Sequence, residues 1–118
     1  MKVVIVEDEE FVAHALRRTL TGLGCKVVVV LEPLEIEAAL EHEQPDLLVC
    51  DMRMPTRSGL DVLALAREKF PHIKRCLLSG SLSALKDIDV GRIEPCVVLN
   101  KPWKQGELED LVASSRQA

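Results

Sequence analysis

Five short apolar runs recur along the chain, at residues 2–6, 26–30, 47–51, 75–79 and 96–100. They are rich in Val and Leu and nearly continuous. A strand that faces water on one side alternates apolar and polar positions, whereas a strand covered on both faces does not. The runs therefore predict a parallel sheet with helices on both faces. Between them the apolar spacing turns helical. Residues 10–22 put Val12, Ala15, Leu16 and Leu20 on one stripe, with Leu23 just beyond. Residues 33–42 start at Pro33, suited to a first helical turn, with Glu35 and Glu37 where the helix dipole favours acids. Ser58 is a good N-cap for a third helix carrying Leu60, Leu63, Leu65 and Ala66 to Phe70, and Pro71 stops it. A last helix over 105–115 has Leu108, Leu111 and Val112 on one side. The fourth connection, 82–94, is the weakest. Ala84, Leu85 and Ile88 give it some periodicity, but Asp87, Asp89, Gly91 and Pro95 predict only a short or distorted helix.

Strands alternating with helices imply an α/β fold with right-handed crossovers. Five strands in 118 residues fit a flavodoxin-like (βα)5 three-layer sandwich with sheet order 2-1-3-4-5, read as a single domain over residues 1–118. In such sheets a site forms beyond the carboxyl ends of the strands, where the strand order reverses.

Composition narrows the class. Hydrophobic residues make up 47% of the chain, which argues against disorder. The formal net charge of −4 argues against a nucleic-acid-binding surface. No apolar run approaches the ~18 residues of a membrane span. Cys25, Cys50, Cys76 and Cys96 include no Cys-x-x-Cys pair, so zinc-ligand spacing is lacking. They read as small buried hydrophobes of a cytoplasmic protein. His14, His42 and His72 share no spacing and read as surface residues. Trp103 reads as a packing residue, with a partner contact as the sharper alternative.

The strand ends carry the chemistry. Strand one runs into Glu7-Asp8, strand three ends in Asp51, strand four ends in Ser79-Gly80-Ser81, and strand five is followed by Lys101-Pro102. Taken singly, each has an ordinary reading: a solvated acidic helix start, a turn aspartate ahead of Pro55, a turn hydroxyl, a surface lysine. Taken together they fit one chemistry. Neighbouring strands one and three would bring three carboxylates to one edge, a costly arrangement that a divalent cation relieves. Oxygen ligands of this kind suit Mg2+. A lysine and a hydroxyl across the same edge suit a phosphoryl group, and a carboxylate beside a metal can be a nucleophile that forms an acyl phosphate.

The motifs LLVCDMRMP at 47–55 with SGL at 58–60, VIVEDEE at 4–10, CLLSG at 76–80 and VLNKP at 98–102 occur in order and with matching intervals. In this set the chain resembles the receiver domains of two-component response regulators, over essentially its whole length. The resemblance implies that Asp51 accepts a phosphoryl group from a sensor histidine kinase or phosphotransfer protein. It implies Mg2+, with Mn2+ as a substitute, bound by Asp8, Asp51 and the backbone carbonyl of Arg53, with Glu7 acting mainly through metal-bound water. Ser79 takes the switch hydroxyl position, Lys101 pairs with the phosphoryl group, and Gly80 leaves room for the donor. Pro55, Gly59 and Pro102 are loop positions, and Arg53 and Ser81 tune acyl-phosphate lifetime.

Two features depart from the family pattern. The strand-five position that often carries Tyr or Phe is Val98, and the fourth connection contains Gly91 with Pro95 soon after. The implied function is a phosphoacceptor module with self-phosphorylation and autodephosphorylation activity, not an enzyme acting on an external metabolite. It changes its binding to a downstream effector, with no nucleic-acid or membrane partner; phosphorylation-driven homodimerisation stays open. A degenerate receiver used only for protein interaction is the alternative. A metal-dependent phosphatase would need Asp-x-Asp after strand one, and an FMN carrier would need a hydroxyl-rich phosphate loop where Glu7 to Glu10 stand.

Overall fold

Val, Ile and Leu fill the strand centres because both sheet faces are covered. In a computed structural model the chain forms β1 (Lys2–Val6), α1 (Glu10–Gly22), β2 (Lys26–Val30), α2 (Ile36–Glu43), β3 (Leu47–Asp51), α3 (Gly59–Lys69), β4 (Lys74–Ser79), β5 (Val97–Asn100) and α4 (Gln105–Arg116). The structure describes residues 1–80 and 90–116. Ser81 and most of the irregular fourth connection thus lie outside the described residues. What is described of that connection is a 3-10 turn at Val90–Arg92.

The sheet is parallel, in the order β2-β1-β3-β4-β5. Alternate strand residues feed two separate cores. Val3, Ile5, Val49 and Leu78 pack with Leu16 and Leu20 of α1 and Leu108 and Leu111 of α4. Val4, Val6, Leu48 and Leu77 pack on the other face with Ile36 and Leu40 of α2 and Val62 and Leu63 of α3. Each fully buried Leu contributes roughly 1.5–3 kcal/mol relative to exposure. This double cover is why β1 and β3 show no polar alternation.

Local details differ from the sequence expectation. The second helical segment opens as a 3-10 turn, Pro33–Glu35, and becomes α-helical only from Ile36. The Glu32 side chain caps that turn by accepting from Leu34 N. In α1, Ala13 joins Leu16 and Leu20 in the core, while Val12 and Ala15 are only half-buried. In α3 the fully buried positions are Gly59, Val62, Leu63 and Ala66, so Leu60 and Leu65 sit at the edge of the stripe. Ser58 does cap α3, its hydroxyl accepting from Asp61 N. Cys25, Cys50 and Cys76 are buried free thiols, and Cys96 is half-buried. His14, His42 and His72 are exposed, and Trp103 is half-buried against the α1/α4 core. No described helix is long and apolar enough to cross a membrane.

Candidate functional site

The register sets which strand ends meet. Val6 is level with Cys50 across β1 and β3, so Glu7 and Asp8 leave β1 beside Asp51. Asp51 is level with Leu78, one residue before Ser79, and Ser79 is level with Asn100, one residue before Lys101. The backbone fastens this edge: Glu7 N donates to Val30 O, Met52 N to Leu78 O and Lys101 N to Ser79 O. The Lys101–Pro102 peptide bond is cis.

Three carboxylates converge. Glu7, Asp8 and Asp51 offer oxygens that all lie within 4.8 Å of one another. Glu7 is fully buried and Asp51 is 4% exposed. Lys101 Nζ reaches both, at 2.8 Å from Asp51 Oδ1 and 3.1 Å from Glu7 Oε2. Glu7 Oε1 also accepts from Glu9 N at 3.2 Å. One ammonium against three carboxylates leaves the cluster two negative charges in excess when all are ionised. The pKa of Glu7 is pushed up to about 7, first by burial and then by the charge on Asp51. The Glu9 N–H and Lys101 oppose that rise. For Lys101, burial alone would lower the pKa, but the carboxylates of Asp51 and Glu7 beside its ammonium outweigh it and raise it. Beneath the site the Cys50 thiol is pushed far up by burial, then by Asp51 and Glu7, and stays protonated.

The donor set fits a hard divalent cation. Asp8 Oδ1 is buried without a hydrogen-bond partner among the described residues, and Glu7 Oε2 has the nearby ammonium but no aligned hydrogen bond. Buried carboxylate oxygens left this way are costly unless something cationic meets them. Three oxygen donors, the Cys50 thiol kept protonated behind them, match Mg2+ or Mn2+ rather than a thiophilic metal.

The other expected residues fall around this cluster. Ser79 is buried at the end of β4. Gly80 is exposed, and a Cβ there would meet nothing within 4 Å. Arg53 and Pro55 are exposed in the β3–α3 loop, and Pro102 is exposed after Lys101. Gly59 packs on the Asp51 backbone, where a Cβ would stand 2.1 Å from Asp51 O. Val98 is half-buried against the α2/α3 core rather than beside the carboxylates. Ser81 lies outside the described residues. Sequence reasoning missed Glu32 and Thr56, joined by a 2.7 Å hydrogen bond between the loops after β2 and β3. Their separation of 24 residues carries no local signal.

Two cavities of about 580 and 500 Å3 lie at the opposite end of the sheet, lined by residues such as Asp46, Lys74 and Pro95. They hold no convergent carboxylate set. The strand-end cluster has the chemistry.

Known proteins place the chain. It is 34% identical over 118 residues to the hydrogenase transcriptional regulatory protein HoxA of Cupriavidus necator, covering 98% of this chain and 24% of that protein. The response regulator protein FleR of Pseudomonas aeruginosa is 30% identical over 112 residues, covering 95% of this chain and 24% of its own. The chain thus spans about a quarter of the length of these curated relatives. The same fold occurs in the Francisella response regulator 1452 receiver domain, with TM-score 0.86 and 21% identity over 98% of this chain and 96% of that one. The response regulator receiver domain model matches residues 3–113, which takes in all the strands but for Lys2 and every residue of the carboxylate–lysine cluster, so this chain belongs to the response regulator receiver domain family.

Proposed function

We propose that this domain accepts a phosphoryl group on Asp51 from the phosphohistidine of a sensor kinase or phosphotransfer protein, in a Mg2+-dependent reaction, and thereby changes its binding to a downstream effector. One observation carries the reading. The Asp51 carboxylate is 4% exposed, held by Lys101 at 2.8 Å, and shares a 4.8 Å oxygen cluster with Glu7 and Asp8.

Asp51 is the nucleophile. One of its oxygens bonds to phosphorus as the phosphorus–nitrogen bond to the donor imidazole breaks, and the imidazole leaves as a neutral base once protonated. Lys101 sits on Asp51 before transfer. It sets a positive charge against the carboxylate and follows the charge to a phosphoryl oxygen afterwards. Ser79 donates its hydroxyl to another phosphoryl oxygen, and Gly80 keeps the approach clear of side chains. Asp8, Asp51 and the Arg53 carbonyl would hold Mg2+, or Mn2+ in its place, with Glu7 reached through bound water. The bound ion supplies positive charge that offsets both the clustered carboxylates and the transferring phosphoryl group. Water attack on the acyl phosphate returns Asp51, so the domain also limits its own signal.

Relatives named as transcriptional regulatory proteins are about four times as long as this chain. We assign this domain the phosphoryl chemistry, the part that its own strand-end residues carry.

Intact-mass analysis after mixing with a small acyl-phosphate donor and Mg2+ tests the reading. One phosphoryl adduct is expected, absent with chelator and absent in Asp51→Asn. A folded protein that forms no adduct would instead leave the interaction-only alternative.

A further inference from the structure

The β3–α3 loop is fastened at two points. At its base, Gly59 N donates to Met52 O at 2.9 Å. Farther out, Thr56 Oγ1 donates to Glu32 Oε1 at 2.7 Å. The same oxygen accepts from Leu34 N at 3.0 Å, so Glu32 is itself fixed by the Pro33–Glu35 turn. β2 and β3 are the two neighbours of β1 in the sheet, with Val6 level with Val30 on one side and Cys50 on the other. The Glu32–Thr56 bond therefore joins the loops on either side of the strand that delivers Glu7 and Asp8. Arg53 lies in one of those loops.

We infer that the Glu32–Thr56 hydrogen bond is a positioning latch for the divalent-cation site, holding the β3–α3 loop so that the Arg53 carbonyl is in place beside Asp8 and Asp51. The inference rests on the metal site proposed above. Neither residue touches the ion. The latch acts through the loop backbone, as residues that orient a metal ligand do. An exposed hydrogen bond adds little to global stability, so its effect is read in the metal site rather than in overall folding. A separate tie between the same layers, the exposed Lys69–Glu37 ion pair joining α3 to α2, offers a control that leaves both loops alone.

The test is thermal unfolding of the whole chain across a Mg2+ series. A metal that binds only the folded state raises the midpoint with the logarithm of one plus the ratio of its concentration to its dissociation constant. Each variant is compared with its own metal-free midpoint, which yields a dissociation constant independent of activity. Thr56→Val and Glu32→Ala are expected to weaken Mg2+ binding roughly three- to tenfold, at or below the range for residues that orient metal ligands directly. The double variant is expected to be no weaker than the worse single, because both remove one bond. Thr56→Ser and Lys69→Met are expected to bind as the parent does. Unchanged Mg2+ binding in Thr56→Val, or equal weakening in Lys69→Met, would overturn the latch while leaving the metal site standing. No midpoint shift in the parent protein would overturn both.

Discussion

Gly59 lies against the peptide carbonyl of Asp51 so closely that a Cβ at 59 would stand 2.1 Å from that oxygen and 2.8 Å from its carbonyl carbon. The obstructing atoms belong to the strand backbone, which cannot swing aside as a side chain can. The glycine therefore lets the first turn of α3 press onto the end of β3, and Met52 O accepts from Gly59 N as part of that contact. Gly59→Ala must push helix and strand apart. It is expected to destabilise the domain by about 2 kcal/mol or more, measured by urea unfolding, and to slow adduct formation at Asp51 by displacing its carboxylate.

Glu7 predicts a pH dependence of the metal-free protein. Its pKa is raised from an ordinary 4.5 to about 7, chiefly by burial. Between these values the unfolded chain has lost a proton that the folded chain keeps. Stability from this group is therefore fully present below about pH 4.5 and lost as pH rises through 7, by up to about 3 kcal/mol. Urea midpoints without metal are expected to fall from pH 5 to pH 8, and Glu7→Gln is expected to flatten the fall. Mg2+ should reverse it at pH 8, where Glu7 is mostly ionised.

Arg75 predicts where the segment before β5 is held. The side chain is 5% exposed and donates to Ile73 O at 3.1 Å and to Ile93 O at 3.3 Å. Burial lowers its pKa, but a guanidinium stays charged in proteins. Ile93 itself is fully buried in the α2/α3 core. Arg75→Met keeps the bulk and removes both donors. It is expected to cost about 1–3 kcal/mol, with hydrogen exchange rising at the amides of 91–97 more than at those of β1.

Most of the fold was legible because burial on both faces writes a strand as an unbroken apolar run. Residues 2–6, 26–30 and 47–51 are the strands observed, and β4 and β5 differ by one residue at their starts. The site was legible because a parallel sheet brings all strand ends to one edge, so Glu7, Asp8, Asp51, Ser79 and Lys101 could be collected without knowing any distance. Helix phase was less legible. Ala13 and Ala15 both fit the α1 stripe, and only the packed structure buries the first. Arg75 reads as a polar strand start and gives no hint that one of its carbonyl partners is Ile93, 18 residues on and ahead of β5. The Glu32–Thr56 bond is a loop-to-loop contact with no period to reveal it. The position Val98 was readable as unusual, and the structure adds that its side chain packs with the α2/α3 core.

A cation bound at the cluster would compete with Lys101 for the same carboxylates, which separates two roles of this lysine. Its ammonium lies 2.8 Å from Asp51 and 3.1 Å from Glu7. Removing it in Lys101→Met raises the negative charge of the cluster by one unit. Mg2+ binding is then expected to tighten by about threefold to tenfold, since a unit charge at this range at a partly solvated site is worth on the order of 1 kcal/mol or more. Phosphoryl transfer is expected to move the other way, because the ammonium that lies on Asp51 is no longer there to follow the charge to the phosphoryl oxygens. Mg2+ titration by thermal shift and the rate of adduct formation at saturating Mg2+ measure the two separately. Tighter metal binding with slower transfer is the expected pair. Weaker metal binding would mean that Lys101 chiefly holds the carboxylates in place, and unchanged transfer would mean that it has no part in the reaction.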